Sequence, residues 1–407
     1  MVSCSWQKMA KCHRHVNGGL ISPAEKVLGN EDLLYEILLL VASKSLLRHQ
    51  CVSRQWGSLI SDPCFVRLHT QKVTSVASSA IFLVGECTKS PIYLSKMENE
   101  YQIVETNPLD MEEKLLNRAK SGLFIRHSCN GLICIACPVD KLYSIESFWC
   151  QVYNPCSRCF ASNPRPCSNQ VSGYLAAMNL AFNPLESDHF KIIGIWEDMI
   201  KFSFFIYSSK TNSWKDTGVS LDARYYTYNF GDYGESQYFF RNGVFLNGNL
   251  HWVSNTKSFL CFDTIGVRFE PMPCTPVSSD GRNIRYFGAY GGRLHLIENK
   301  HNQAMIFNVM EMRNDYSEWY VKSKVDINFV TKIYPRVMGE YGYLNILSLM
   351  WVKDEQQKMK LMLSVPGKII SCDVDEETVT ELFDVQPERS YYKSYHVYDH
   401  FESLFKF

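Results

Sequence analysis

A short apolar strand that ends on an aromatic residue or a cysteine, and runs mostly into Asn, Asp or Ser, occurs six times along this chain. The copies are PIYL at Tyr93, QVYNP at Tyr153, FFIYSS at Tyr207, FLCFD at Phe262, MIFNV at Phe307 and IISCD at Cys372. Successive copies lie 60, 54, 55, 45 and 65 residues apart. Several are preceded by a Gly-led strand, NGLICI at Asn130, NGNLHWV at Asn247 and GGRLHLI at Gly291, and some are followed by a polar turn closing on Trp214 or Trp319. Short runs rich in Phe, Tyr, Ile and Val, punctuated by Gly, Asn, Pro and Asp, read as strands. A unit of about four strands cannot bury both its faces and must stack on neighbours, so a repeat of this length is the pattern of a propeller blade. The region 76–407 therefore reads as an all-β propeller of about six blades, with YHVYDHFESLF near its end available as a closing strand.

The residues before it behave differently. Residues 1–26 carry Cys, His, Lys, Gly and Ser with no apolar period, the composition of a mobile tail. From 27 to 70 the pattern is helical: Asn30 is placed to cap EDLLYEILLLV, Ser43 to cap a second helix running to Cys51, and a third around Arg54 to Ile60 is expected to stop at Asp62-Pro63. Leu33, Leu34, Ile37, Leu38, Leu39, Leu40 and Val41 lie all round the first helix. A unit of about 40 residues hides too little surface to bury them all, so they are covered by the following domain or by another protein.

Bulk chemistry narrows the partners. Forty-two basic residues balance forty-two acidic ones, so no global field draws a polyanion, and neither nucleic acid nor a membrane is expected as partner. The longest apolar run, Ile37 to Ala42, is far short of the roughly 20 residues of a membrane span. The opening MVSCSWQKMAKCHRHVNGG has no signal-peptide core, which points to the cytosol or nucleus, where the fifteen cysteines stay reduced.

From Leu28 to Phe65 the sequence LGNEDLLYEILLLVASKSLLRHQCVSRQWGSLISDPCF resembles an F-box. Downstream, SCNGLICI, YNPCSR, LAFNPLESDHFKIIGIW, IYSSKTNSW, GVFLNGNLHW, RYFGAYGGRLHLIE and VPGKII resemble the F-box-associated β-propeller region of plant F-box proteins. The resemblance implies a multidomain α+β chain, a small three-helix F-box followed by an all-β propeller. It also implies a non-catalytic substrate receptor of a Skp-cullin-F-box ubiquitin ligase, with the helices on the Skp adaptor, cullin reached through it, and the propeller holding an unidentified target protein. Matched to that motif, the adaptor-facing residues are Leu28, Leu34, Ile37, Leu38, Leu46, Cys51, Val52 and Trp56. Gly29 or Asn30 and Ala42 stand where the family usually has proline, and His49 where Phe is common. Without the second proline the first helix is expected to run on. The rival readings are a propeller scaffold that binds its partner without degrading it, and a carbohydrate-binding or enzymatic propeller.

Other motifs weigh less. Cys134, Cys137, Cys156 and Cys159 have zinc-like spacing, but Cys134 and Cys137 lie three apart in an alternating strand and face opposite ways, so buried thiols are expected and no metal. Cys4, Cys12, His13 and His15 fit no common metal site. No GxSxG, HExxH, Walker or GxGxxG signature occurs, and no cofactor is expected. Asp373 and Asp375 read as hairpin residues, and His251 and His295 as strand histidines. For target capture the aromatic stretch Ala223 to Phe240 offers Tyr225, Tyr226, Tyr228, Phe230 and Tyr233, with Tyr334 to Tyr343 a second candidate.

Overall fold

The first helix starts where the sequence places its cap: Asn30 Oδ1 accepts from the backbone N–H groups of Asp32 (3.1 Å) and Leu33 (3.2 Å). The structure, a computed structural model, describes residues 29–74, 80–85, 92–97, 100–103, 124–138, 148–163, 173–198, 200–223, 240–253, 259–275, 282–300, 303–339, 343–351, 358–385 and 395–407. Within 29–74 there are four helices rather than three: α1 Glu31–Leu38, α2 Ser43–His49, α3 Arg54–Ile60 and α4 Pro63–Thr74. The fourth comes from the residues expected to end the third. Asp62 Oδ1 accepts from Cys64 N (2.8 Å) and Phe65 N (3.1 Å), so Asp62 caps a new helix and Pro63 takes its first position, where a missing N–H costs nothing. Ser53 caps α3 by accepting from Trp56 N at 3.1 Å.

Two expectations are corrected at the junction of α1 and α2. Ser43 does not cap α2; its hydroxyl donates to the Glu402 carbonyl at 3.2 Å, and Ala42 occupies the cap position with no side-chain bond. Nor does α1 run on through Ala42, because the chain leaves the helix after Leu38 and Ala42 sits at φ −58°, ψ 143°. That is the backbone a proline would impose. Ala42→Pro is therefore expected to stabilise the protein by about 0.4–1 kcal/mol through the unfolded chain, read as a higher urea midpoint. A lower midpoint would refute it.

The strands are β1 Ala80–Gly85, β2 Ile92–Met97, β3 Glu100–Ile103, β4 Phe124–Cys129, β5 Leu132–Pro138, β6 Phe148–Asn154, β7 Cys159–Asn163 and β8 Tyr174–Ala181. There follow β9 Lys191–Glu197, β10 Lys201–Ser208, β11 Ser213–Asp222, β12 Val244–Leu246, β13 Asn249–Val253, β14 Phe259–Asp263, β15 Arg268–Glu270 and β16 Arg282–Tyr290. The last are β17 Arg293–Lys300, β18 Ile306–Met312, β19 Trp319–Asp326, β20 Asn345–Trp351, β21 Met359–Val365, β22 Lys368–Asp373, β23 Thr378–Asp384 and β24 Tyr395–His400. Among the described residues they form six four-stranded antiparallel sheets, five of consecutive strands and one in the order β24-β1-β2-β3. Each repeated residue noted above lies on the third strand of its sheet, and Tyr93, Tyr153, Tyr207, Phe262, Phe307 and Cys372 are all buried. The Asn or Asp that follows it turns the chain: Asn154, Asp263 and Asp373 each accept from backbone N–H groups two and three residues on. Asn130-Gly131, Asn247-Gly248 and Gly291-Gly292 all have positive φ and make the tight turn from first to second strand.

The first strand of each sheet, β24, β4, β8, the segment leading into β12, β16 and β20, touches its counterpart in the next sheet, and β20 returns to β24. Six apolar cores lie between successive sheets, the last packing Leu347, Met350 and Ile369 of the β20–β23 sheet on Ile81, Leu83 and Tyr395. The sheets thus close into a ring, sealed where β24 pairs with β1 from Ala80↔His400 to Gly85↔Tyr395.

The residues after β24 join ring and helices. Leu404 is buried in the helical core with Leu34, Leu38, Leu46, Ile60 and Phe65, while Phe405 enters the core containing Phe182 and Phe190. Asn154 Nδ2 donates to the carbonyls of Ser403 (3.0 Å) and Phe405 (2.8 Å), and Lys44 pairs with Glu402 at 3.1 Å.

Candidate functional site

Helix α1 carries two apolar stripes. Leu34 and Leu38, one turn apart, face inward; Leu33 and Ile37, also one turn apart, face outward and, with Leu40 in the turn that follows the helix, are 48, 43 and 79 % exposed. Gln55 Nε2 donates to Glu31 Oε1 at 3.2 Å, which sets the start of α3 beside the start of α1. Val52, on the turn into α3, is also exposed. Gly57 keeps α2 and α3 close, since a Cβ there would lie 3.0 Å from the Gln50 carbonyl oxygen. The result is an apolar outer face that the ring does not cover, on a unit whose inner face is already filled by Leu404.

This geometry sorts the sequence candidates. Ile37, Cys51 and Val52 are exposed, and Trp56 is half-buried, edge-on to His49 at 5.8 Å between ring centroids. Leu34, Leu38 and Leu46 are corrected: they are the core of the helical unit and present nothing to a partner. Leu28 lies outside the described residues. Leu33 and Leu40 are added: Leu33 stands one turn before Ile37 on α1, and Leu40 is exposed in the turn that follows.

Tyr225, Tyr226, Tyr228, Phe230 and Tyr233 all lie outside the described residues, as do Cys4, Cys12, His13 and His15. In the second aromatic candidate Tyr334 donates its hydroxyl to Glu381 Oε1 at 2.8 Å, and burial with that carboxylate pushes its pKa up to about 12. Cys134 finds its partner outside the zinc-like pattern, with Sγ 3.4 Å from Cys150 Sγ; that hydrogen bond and burial push the Cys134 thiol well up. Cys156 sits in the turn after β6 and Cys159 opens β7. Asp373 and Asp375 are spent on backbone N–H groups, including Met359 N at 2.9 Å. His295 lies 2.9 Å from Glu311 Oε2, a buried carboxylate that also accepts from Arg293 (2.6 Å) and Lys322 (2.5 Å).

A second feature lies on the inner edge of the ring. His127 of β4 donates from Nε2 to the Gly243 carbonyl (2.7 Å) and accepts at Nδ1 from Leu180 N (3.1 Å), so three sheets meet on one imidazole. Both nitrogens are used by the neutral form, and burial lowers its pKa to about 4. Buried His251 and His400 are likewise held at about 4 and about 3. In the unfolded chain these groups take up protons near pH 6.5. Stability is then complete above about 6.5 and falls as pH drops toward 4, because the unfolded state binds more protons there. The urea midpoint is expected to decline over that window and to decline less steeply in His127→Gln; a flat profile would refute this.

The sequence profile of the F-box associated beta propeller domain matches residues 87–404, and that of the F-box domain matches residues 30–68. The chain belongs to the F-box proteins that carry an F-box associated β-propeller domain. Among its relatives is the F-box protein At5g07610 of Arabidopsis thaliana, 23 % identical over 95 % of both chains. F-box protein At5g49610 of the same plant is 24 % identical over 83 % of this chain and 91 % of its own. An Arabidopsis F-box/kelch-repeat protein, At3g23880, is 23 % identical over 60 % of this chain and 64 % of its own. The F-box is thus the helical unit with the outward stripe, and the propeller is the ring. Among the described residues no helix is long and apolar enough to cross a membrane.

Proposed function

We propose that this F-box protein is the substrate-recognition subunit of a Skp-cullin-F-box ubiquitin ligase, acting in the cytosol or nucleus. Its F-box docks on a Skp-family adaptor, and its propeller captures a target protein. The observation that carries this reading is the outward stripe of Leu33, Ile37 and Leu40 on a helical unit whose core is complete without it. Apolar side chains of this size left in water on adjacent turns favour a protein partner, since covering them yields roughly 25 cal/mol per Å². The departure at Ala42 keeps the usual backbone, because Ala42 takes the extended conformation of the missing proline. No chemistry is assigned to the chain itself; ubiquitin transfer falls to other subunits.

Co-purification of the full chain with a Skp-family adaptor tests this. A stoichiometric complex is expected, and in its presence cullin should join. A folded, soluble chain that leaves the adaptor unbound would overturn the reading.

A further inference from the structure

Two sets of exposed apolar side chains on this chain carry opposite charge. The first is the outward face of α1, where Leu33 and Ile37, with Leu40 after them, stand beside exposed Glu31, Asp32 and Glu36, and the helix has no basic residue. The second lies on the link between the fifth and sixth sheets. There helix α5, Asn328–Ile333, and the 3-10 turn Pro335–Met338 leave Ile333 52 % and Met338 62 % exposed, with Lys332, Pro335 and Arg336 exposed beside them. Neither α5 nor the turn contains an acidic residue. Among the described residues Asp32, Glu36, Lys332 and Arg336 make no ion pair, so both sets of charge face outward unspent.

The second patch, like the first, is not used by its own fold. Phe329, Val330 and Val337 hold α5 and the turn from beneath, buried with Val325 of the fifth sheet and Leu361 of the sixth, and Tyr334 is tied to Glu381. Nor can the two patches meet within one chain. In a sheet of antiparallel strands the first-to-second and third-to-fourth turns lie on one face of the ring, and the second-to-third turns and the links between sheets lie on the other. The F-box is seated on the first face: Gly131 in the β4–β5 turn leaves room for Ser403, Asn154 at the β6–β7 turn holds the Ser403 carbonyl, and Arg67 of α4 pairs at 3.6 Å with Asp188 in the β8–β9 connection. Helix α5 is on a link between sheets, hence on the opposite face. Around the ring, the junction of the fifth and sixth sheets also lies across the axis from that of the second and third, where Phe405 is seated.

We infer that the α5 patch is a docking surface for a second copy of this chain, taking the outward face of its α1: Leu33, Ile37 and Leu40 of one copy meet Ile333 and Met338 of the other, with Asp32 and Glu36 facing Lys332 and Arg336. Opposite charge around small apolar patches selects which surfaces meet. A contact between two different patches is heterologous, so it adds copies in sequence instead of stopping at a symmetric pair. It covers the face that the substrate-receptor reading gives to the adaptor, and a chain held this way is withheld from the ligase. That consequence rests on the reading; the self-contact does not.

Sedimentation velocity of the full chain reads the contact. The weight-average sedimentation coefficient is expected to rise with protein concentration and to fall back as salt rises. Lys332→Glu with Arg336→Glu, and separately Asp32→Lys with Glu36→Lys, should each weaken self-association by about tenfold or more, since each turns attractive pairs into repulsive ones. All four side chains are exposed, so both variants keep the fold. Mixed in equal amounts, the two variants should associate again, because the acidic α1 of the first meets the basic patch of the second, and the basic α1 of the second meets the acidic patch of the first. A parent chain that stays a single species at every concentration would overturn the inference, as would variants that associate like the parent, or a mixture no better than either variant alone. Adding a Skp-family adaptor in excess separates the two readings. The parent's assemblies should disperse as the adaptor binds, and assemblies that keep their size with adaptor on every chain would place the contact elsewhere. A chain that takes the adaptor but never self-associates keeps its ligase role and loses this contact; one that self-associates through these residues but takes no adaptor does the reverse.

Discussion

Deleting Tyr395 to Phe407 is expected to abolish the cooperative unfolding transition of the whole chain rather than lower its midpoint. The deletion removes the strand that pairs with β1 along six residues, opens the ring between the first and sixth sheets, and takes Leu404 from the F-box core. Losing a pairing strand, part of one core and a filled position in another exceeds the roughly 5–15 kcal/mol by which domains are stable. The exposed edge of β1 then invites association between chains. Calorimetry or circular dichroism of the soluble fraction reads the outcome, and a deletion variant melting within a few degrees of the parent would contradict the ring closure described above. The single change Leu404→Ala isolates the F-box share of the effect. A buried Leu→Ala costs about 2–5 kcal/mol, and here the loss is expected as faster proteolysis within residues 29–74 with the propeller left intact.

The second large effect is on association. Ile37→Asp combined with Leu40→Asp should leave the fold almost unchanged, because both side chains already face water and surface changes usually stay within about 0.5 kcal/mol. On adaptor binding the same pair should cost at least about a hundredfold, since each carboxylate would be buried without a partner. Leu34→Asp is the contrasting variant: it puts a charge in the F-box core and is expected to prevent folding of that unit. An Ile37→Asp/Leu40→Asp chain that holds the adaptor as well as the parent would rule out the outward stripe as the docking face. Trp56→Ala lies between the two, since its ring is half-buried against the core and its loss touches both stability and the exposed face.

How much of this could be read from residues alone depends on how local the determining physics is. The repeated strand ends at Tyr93, Tyr153, Tyr207, Phe262, Phe307 and Cys372 were legible because each is followed by its own turn, and Asn154, Asp263 and Asp373 act within three residues. Asn-Gly and Gly-Gly turns were legible for the same reason, their positive φ being nearly a property of the dipeptide. Asp62-Pro63 misled because the same pair can end one helix or begin the next, and only the hydrogen bonds to Cys64 and Phe65 decide. Ser43 misled because a partner 359 residues away, Glu402, takes its hydroxyl. The inward and outward halves of α1 share one composition; what separates them is contact with Leu46, Ile60, Phe65 and Leu404, which no local window contains.

The seating of the F-box on the chain's last residues has a consequence for synthesis. Helices α1 to α4 leave the ribosome first, and the residues that hold them, Glu402 to Phe405, come after β24. At about 5–20 residues per second, the helices wait on the order of half a minute before Leu404 arrives. A chain cut short by a premature stop, or clipped near its end, therefore carries an intact F-box sequence without the contacts that lock its orientation. Only a finished propeller supplies the Glu402 and Leu404 contacts that hold the F-box in its fixed pose.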